Sequence, residues 1–500
     1  AYLSYDNTFN HHHIRGLVGF NYEQDYQKNL YSTMMDIQSN NLNDFNLGNH
    51  TEGVSLEGGQ YEWALESFFG RVGYEFAGRY LLQGSLRADA ADLSLLPSTN
   101  RWGYFPSVSA GWTLSEEEFF APLKHQVSSL KLRASWGQNG SLAALSNYPY
   151  STDMALKGLY PFGTGNYYIN AVAPSSMGND KLKWETSEQI NIGLDARFLK
   201  DRLTVGMDYF NKKTKDLLVN GTTPSLIVGG TTSPMNAGNV SNKGWEFELG
   251  WRDHIGDFHY SLRANLATLT NEVTYVDPSI TRINGVNFHT STITYFEEGF
   301  PVYYFRGYKF KGVDPETGNP MFHDLDNSGD LNDGDLDYIG DAIPDFTYGI
   351  TLTAGWKGLD FTLFGTGSQG NDIFNCINRP DYAASNKLKE VFYDNRWTAD
   401  NKSGTVPRAG AQNMDKYQTS DALVYDGSFF KIKQIQLGYT LPKTWMKKIF
   451  VNNLRVYGSL DDFFTFTKYP GFDPEAAANS TSGMGVDKGS YPCSKKVVLG

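Results

Sequence analysis

Gln189-Ile-Asn-Ile-Gly-Leu-Asp-Ala-Arg-Phe198 alternates apolar and polar side chains. Successive side chains of an extended chain point to opposite sides, so Ile190, Ile192, Leu194, Ala196 and Phe198 share one face, and Gln189, Asn191, Asp195 and Arg197 share the other. After a link at Lys200-Asp201 the pattern resumes, with Leu203, Val205, Met207 and Tyr209 opposing Thr204, Gly206 and Asp208. Such a segment is a strand with one face in an apolar medium and the other in water.

The same period runs outward in both directions. Leu82, Gly84, Leu86 and Ala88 oppose Gln83, Ser85, Arg87 and Asp89. Trp245, Phe247, Leu249 and Trp251 oppose Glu246, Glu248 and Arg252, and Phe258, Tyr260, Leu262, Ala264 and Leu266 oppose His259, Ser261, Arg263 and Asn265. Runs of about nine to twelve residues suit a tilted strand crossing a bilayer better than a soluble sheet. Helical periodicity is nearly absent. Tight links at Ala77-Gly78, Lys200-Asp201, Ile255-Gly256-Asp257 and Lys357-Gly358 alternate with long ones from about Gly137 to Trp184, Lys212 to Lys243, Asn271 to Asp345 and Gly365 to Gly427. Short turns on one side and long loops on the other are the habit of outer-membrane barrels. The fold expected is therefore an all-β, transmembrane antiparallel barrel wall of about fourteen to sixteen strands, in which Ile190, Ile192, Leu194, Val205 and Met207 face lipid and Asn191, Asp195 and Asp208 face the lumen. β-Sandwiches or a propeller also give alternating strands, but no fixed repeat is visible and charges such as Arg87, Arg197 and Arg263 on the polar faces suit a lumen.

Composition agrees with a barrel. Tyr 31, Phe 32 and Trp 10 make 15% of the 500 residues aromatic, yet mean hydropathy is -0.43. Aromatic girdles at both interfaces around a wet lumen produce that combination. No stretch approaches the roughly 18 apolar residues of a membrane helix. A net charge of -12 argues against nucleic-acid binding, which needs a basic surface. Cys376 and Cys493 lack metal-ligand spacing. Ala1 opens directly into Tyr-Leu-Ser-Tyr without a leader pattern, so the chain is expected to be mature or a fragment.

Several segments resemble the SusC/RagA family of TonB-dependent outer-membrane transporters of the Bacteroidetes. They are Phe68-Phe-Gly-Arg-Val72, Gly78-Arg-Tyr-Leu-Leu-Gln-Gly-Ser-Leu-Arg-Ala-Asp89, Arg101-Trp-Gly-Tyr-Phe-Pro-Ser-Val-Ser-Ala-Gly-Trp112, Leu130-Lys-Leu-Arg-Ala-Ser-Trp-Gly137, Leu182-Lys-Trp-Glu-Thr186, Asn239-Val-Ser-Asn-Lys-Gly-Trp-Glu246 and Phe429-Phe-Lys-Ile-Lys433. The resemblance implies a 22-stranded barrel with a plug, energy from TonB-ExbB-ExbD through an N-terminal part outside this chain, and a SusD-like surface lipoprotein as a lid, in a dimer of such pairs within outer-membrane lipid. It implies oligosaccharide or oligopeptide cargo. The chain is then expected to be the C-terminal part of the barrel, with the plug, the first strands and a few C-terminal residues beyond it. A passive porin and a barrel-anchored adhesin are the alternatives.

One local motif carries ligand chemistry. Asp324-Leu-Asp-Asn-Ser-Gly-Asp-Leu-Asn-Asp-Gly-Asp335 puts oxygen-bearing residues at positions 1, 3, 5, 7, 9 and 12 of an EF-hand-like calcium loop, with Gly329 at position 6. Asp324, Asp326 and Ser328 would give side-chain oxygens, Asp330 its carbonyl, Asn332 a water-mediated contact, and Asp335 would close the shell around a structural Ca2+. Ser at position 5 and Asp at position 12 are departures that lower affinity and favour a smaller ion; a solvated acidic turn is the competing reading. Gly365-Thr-Gly-Ser-Gln-Gly370 matches a dinucleotide fingerprint formally, but no helix pattern follows. His11, His12 and His13 cannot all converge from one strand. Tyr148, Tyr150, Tyr160, Phe162, Tyr167 and Tyr168 in a long loop suit either sugar stacking or loop packing. No catalytic constellation stands out, and the chain is expected not to be an enzyme.

Overall fold

The structure, a computed structural model, describes the chain except residues 38–40, 42–43, 50–52, 146–147, 153, 164–166, 175, 221–230, 233, 378–389, 447–449 and 478–479. Sixteen strands form one sheet. In chain order they are β1 (Tyr2–Phe9), β2 (His12–Thr33), β3 (Ser55–Phe76), β4 (Tyr80–Ala91), β5 (Trp102–Thr113), β6 (Val127–Ser141), β7 (Glu185–Phe198), β8 (Leu203–Asn220), β9 (Pro234–Ile255), β10 (Phe258–Thr268), β11 (Thr270–Val276), β12 (Phe346–Trp356), β13 (Leu359–Gln369), β14 (Phe429–Thr440), β15 (Arg455–Thr467) and β16 (Lys496–Leu499). Neighbours in sequence are neighbours in space throughout, except that β10 and β11 pair one above the other along β9 and β12 joins β10. This is an up-and-down meander, the topology that antiparallel strands with short turns produce.

The four tight links lie where expected, and positive φ angles at Ala77, Gly78, Lys200, Asp201, Gly256, Lys357 and Gly358 show how closely the chain reverses there. Two expectations need correction. β2, β3 and β9 each span 22 residues, well beyond a bilayer crossing. Their outer halves continue as paired ribbons in water, where neither face is buried and the alternation that marks a half-buried strand disappears; Glu23 to Gln27 and Glu57 to Gln60 are exposed on both faces. The supposed loop from Lys212 to Lys243 is also largely strand, since β8 runs to Asn220 and β9 begins at Pro234. A register shift after Thr214, with Asp216 at φ 57°, breaks the period in between.

The outer face of the sheet is apolar and exposed. Ile192 is 56% exposed and Ile190 45%, and Val72, Leu82, Leu86, Leu249 and Leu437 are likewise open. Residues this apolar do not face water in such numbers without a hydrophobic medium against them. Aromatic side chains bound the band. Trp102 and Trp112 share the outer face of β5 ten residues apart, about 33 Å along the strand and about 25 Å in height at a tilt near 40°. Phe346 and Trp356 repeat that separation on β12. At the tight-turn edge Phe76, Tyr80 and Trp112 stack in series, and at the other edge Phe68, Trp102 and Tyr104 do the same.

One large hydrophobic cluster lies outside the wall. Phe288, Ile293, Phe305, Phe374, Tyr417, Leu423 and Val486, from three different long loops, pack together beyond the strand ends. A four-stranded sheet of Ile283–Asn284, Thr294–Phe296, Tyr304–Tyr308 and Leu336–Gly340 belongs to this crown, as does a three-stranded sheet of Val424–Asp426, Asp372–Asn375 and Val486–Asp487. Between the girdles the wall has lipid on one side and water on the other, so buried clusters form beyond it, in the crown and where the far ends of β8, β9 and β11 meet Ile280, Ile283 and Phe296.

Candidate functional site

The inner face of the wall is a grid of charges set by register. Arg133 on β6 lies opposite Gly193 on β7, which lies opposite Asp208 on β8. The guanidinium reaches across the glycine to hold Asp195 (Nε to Oδ2, 2.7 Å) and Asp208 (Nη1 to Oδ1, 3.0 Å). Gly193 is required because a Cβ there would stand 2.2 Å from Asp208 Oδ1 and 2.9 Å from Arg133 Cζ. Arg87 holds Asp89 at 2.8 Å, and Arg455 Nε donates to Asp360 at 2.9 Å. Asp195 and Asp208 thus sit on the polar face with Asn191, opposite the face that carries Ile190, Ile192, Leu194, Val205 and Met207. The sequence pattern identified this face; the triad itself depends on strand register, which alternation does not reveal.

The acidic loop, between Pro320–Phe322 and Leu336–Gly340 of the crown, gathers all six anticipated residues. Carboxylate oxygens of Asp324, Asp326 and Asp335 lie within 4.8 Å of one another. Asn332 Nδ2 donates to Asp326 Oδ2 (3.0 Å), Ser328 Oγ (2.9 Å) and the Asp330 carbonyl (3.1 Å), so three oxygens converge on one point. Asp335 is fully buried and accepts the backbone N–H groups of Leu325 (2.7 Å) and Asn332 (2.9 Å). A carboxylate keeps further lone pairs after two such bonds. Asp324 accepts from the N–H of Gly329, whose φ of 84° makes the sharp turn. Gly334 closes the cradle, since a Cβ there would fall 2.4 Å from Asp326 Oδ2. Hydrogen bonds from Ser328 and Asn332 hold the Asp326 carboxyl below the ordinary carboxylate range. The donor set is all oxygen, which fits a hard divalent cation.

A second group of potential ligands, Asp473, Glu475 and Cys493, is already filled by an ammonium. Lys431, 1% exposed, donates to both Asp473 oxygens at 3.0 Å and to Glu475 at 2.8 Å. It belongs to the Phe429–Lys433 segment and ties the top of β14 to the crown. Burial pushes the Asp473 carboxyl up, but the Lys431 hydrogen bonds and two backbone N–H groups outweigh it and hold the group low.

The remaining sequence expectations resolve simply. Gly365–Gln369 lies inside β13 and is followed by crown strand, not helix. His11 falls in the turn before β2, while His12 hydrogen-bonds Tyr74 and His13 hydrogen-bonds Asp6, so the three do not converge. Tyr150 donates to the Leu93 carbonyl and is loop packing; Tyr148 and Tyr160 are exposed. The side chains of Phe162, Tyr167 and Tyr168 lie outside the described residues. Cys376 is buried and Cys493 exposed, and no disulfide joins them.

An antiparallel wall with an apolar band about 25 Å high between two aromatic girdles, a charged inner face and a folded crown is an outer-membrane β-barrel protein. The chain belongs to the TonB-dependent receptor family: a family model described as "TonB dependent receptor-like, beta-barrel" matches residues 1–457. It is 31% identical to TonB-dependent receptor P3 of Formosa agariphila, over 100% of this chain and 51% of that receptor. It is 30% identical to TonB-dependent receptor SusC of Bacteroides thetaiotaomicron, over 87% of this chain and 43% of SusC. A solved structure of the RagAB peptide transporter superposes with a TM-score of 0.85 at 25% identity, covering 100% of this chain and 54% of that one. The chain thus spans about half the length of the curated relatives it matches. It resides in the outer membrane, and its family is one of receptors, not enzymes.

Proposed function

We propose that this chain is the wall and crown of an active importer of oligomeric nutrients, oligosaccharide or oligopeptide. The observation that carries the reading is the crown: three loops build one hydrophobic core on top of a charged channel wall, giving a rigid platform where a surface partner can hand over cargo. A SusD-like lipoprotein would be that partner, in a dimer of such pairs, and TonB-ExbB-ExbD would supply energy through protein outside this chain. Among the described residues β1 and β16 each pair along one edge only, and a closed wall satisfies both edges, since unpaired backbone groups in hydrocarbon cost several kcal/mol each. The likeness to a solved structure named as the RagAB peptide transporter supports import. Purification of the intact protein from outer membranes should bring down a surface lipoprotein and a bound oligomer. Recovery of the protein alone, with energy-independent passage of small solutes in liposomes, would contradict this and favour the passive porin.

The acidic loop is proposed to bind one Ca2+ through Asp324, Asp326, Ser328, Asp330, Asn332 and Asp335, bracing the crown. Its support is the all-oxygen set, with carboxylate oxygens of Asp324, Asp326 and Asp335 within 4.8 Å of one another.

A further inference from the structure

On the inner wall Arg87, Arg133 and Arg455 hold carboxylates. Three arginines near the tight-turn edge of β7 to β10 do not. One row of directly opposed residues runs Arg197, Thr204, Gly250, Arg263 across β7 to β10. One step closer to the turns, Arg252 lies opposite Ser261. Arg197, Arg252 and Arg263 surround a cleft of about 250 Å³ with Thr204, Gly250 and Ser261 in its floor. Strands lie about 4.8 Å apart, so Arg197 and Arg263 stand about 14 Å from each other, and their long side chains lean over the small residues between. Gly250 keeps the floor recessed, since a Cβ there would be 2.4 Å from Thr204 Oγ1. Arg202 at the rim is paired with Asp253 at 3.2 Å, and Arg252 Nε donates to the Asp201 carbonyl at 3.0 Å. Among the described residues, Arg197, Arg252 and Arg263 have no carboxylate within ion-pair distance.

We infer that this cleft is an oxyanion site that takes a sulfate, phosphate or carboxylate group. Three guanidinium groups line the cleft, and each carries forked N–H donors that suit an oxyanion. It lies on the face through which cargo would pass, so it would favour acidic oligomers over neutral ones. That role rests on the import reading, whereas the site itself does not.

The test measures binding rather than uptake, so failure of import and failure of the site are separable. Intact protein in detergent micelles at low ionic strength is titrated calorimetrically with sodium sulfate. Saturable binding is expected, weakened at least tenfold in Arg197→Gln/Arg263→Gln, largely kept in Arg197→Lys/Arg263→Lys, and unchanged in Lys124→Gln, which removes a positive charge at a distant turn. Competition by oligoglutamate but not by oligoglutamine of equal length would assign the site to groups carried by an oligomer. Sulfate binding without such competition would assign it to free inorganic anions. Absence of saturable sulfate binding, or equal affinity in wild type and the Gln double variant, would overturn the site.

Discussion

Single residues of the wall are governed by which medium they meet. Ile192 is on the exposed apolar face, six residues before the end of β7, which puts it about 15 Å above the tight-turn edge and near the middle of the band. Ile192→Arg should cost about 2 to 4 kcal/mol, while Asn191→Arg, one position away on the wet face, should cost little. Equilibrium unfolding from phospholipid bilayers measures both, and equal penalties would contradict the assignment of faces. Lys431 is governed instead by its neighbours. Removing one partner of a buried ion pair leaves the others unpaired at a cost of about 3 to 5 kcal/mol. Lys431→Met should therefore loosen the segment around Asp473 and Glu475, read as faster amide exchange from 471 to 477, with exchange unchanged if the pair is dispensable.

At the scale of elements, the sequence was most informative where a strand has two different surroundings. β7, β8 and the inner half of β9 were legible because lipid and water impose opposite chemistry on alternate residues. The outer halves of β2 and β3 were not, because water on both sides imposes none. In the crown, Phe305 and Phe374 meet through pairing between loops far apart in sequence, which no local pattern encodes. The acidic loop was legible because its contacts are nearly all internal. Exhaustive chelation should raise amide exchange from 324 to 335 and leave the wall strands unaffected, and Asp324→Ala/Asp326→Ala should reproduce the effect without chelator; exchange indifferent to chelation would remove calcium from the account. The crown strand Asp372–Asn375 should also respond to pH. Burial, against the pull of the Asp341 N–H and with the help of the Asp341, Asp426 and Asp345 carboxylates, raises the Asp372 carboxyl to about 6. Its folded value lies above the ordinary value of 3.8, so the folded state takes up the proton first, and local stability should rise as pH falls from about 6 towards 4. Intrinsic-rate-corrected exchange at 372–375 should slow from pH 7 to pH 5 in the wild type and not in Asp372→Asn. A flat wild-type profile would contradict it.

For the whole molecule, the central claim is that one sheet separates lipid from an aqueous lumen, with its buried core placed outside the membrane. Membership of the TonB-dependent receptor family and the superposition on the RagAB transporter agree with that division. It follows from the alternation along Gln189–Phe198 and its neighbours and from aromatics ten residues apart on β5 and β12. The most direct measurement places spin labels singly along β5 from Trp102 to Thr113 and along β12 from Phe346 to Trp356, in the intact protein in native outer-membrane vesicles. Relaxation by molecular oxygen should peak at every second position, at Tyr104, Pro106, Val108 and Ala110 on β5, while a water-soluble nickel chelate should peak at the intervening ones, with oxygen accessibility fading beyond Trp102 and Trp112. Positions equally accessible to both reagents, or both faces shielded from oxygen, would contradict a membrane-spanning wall.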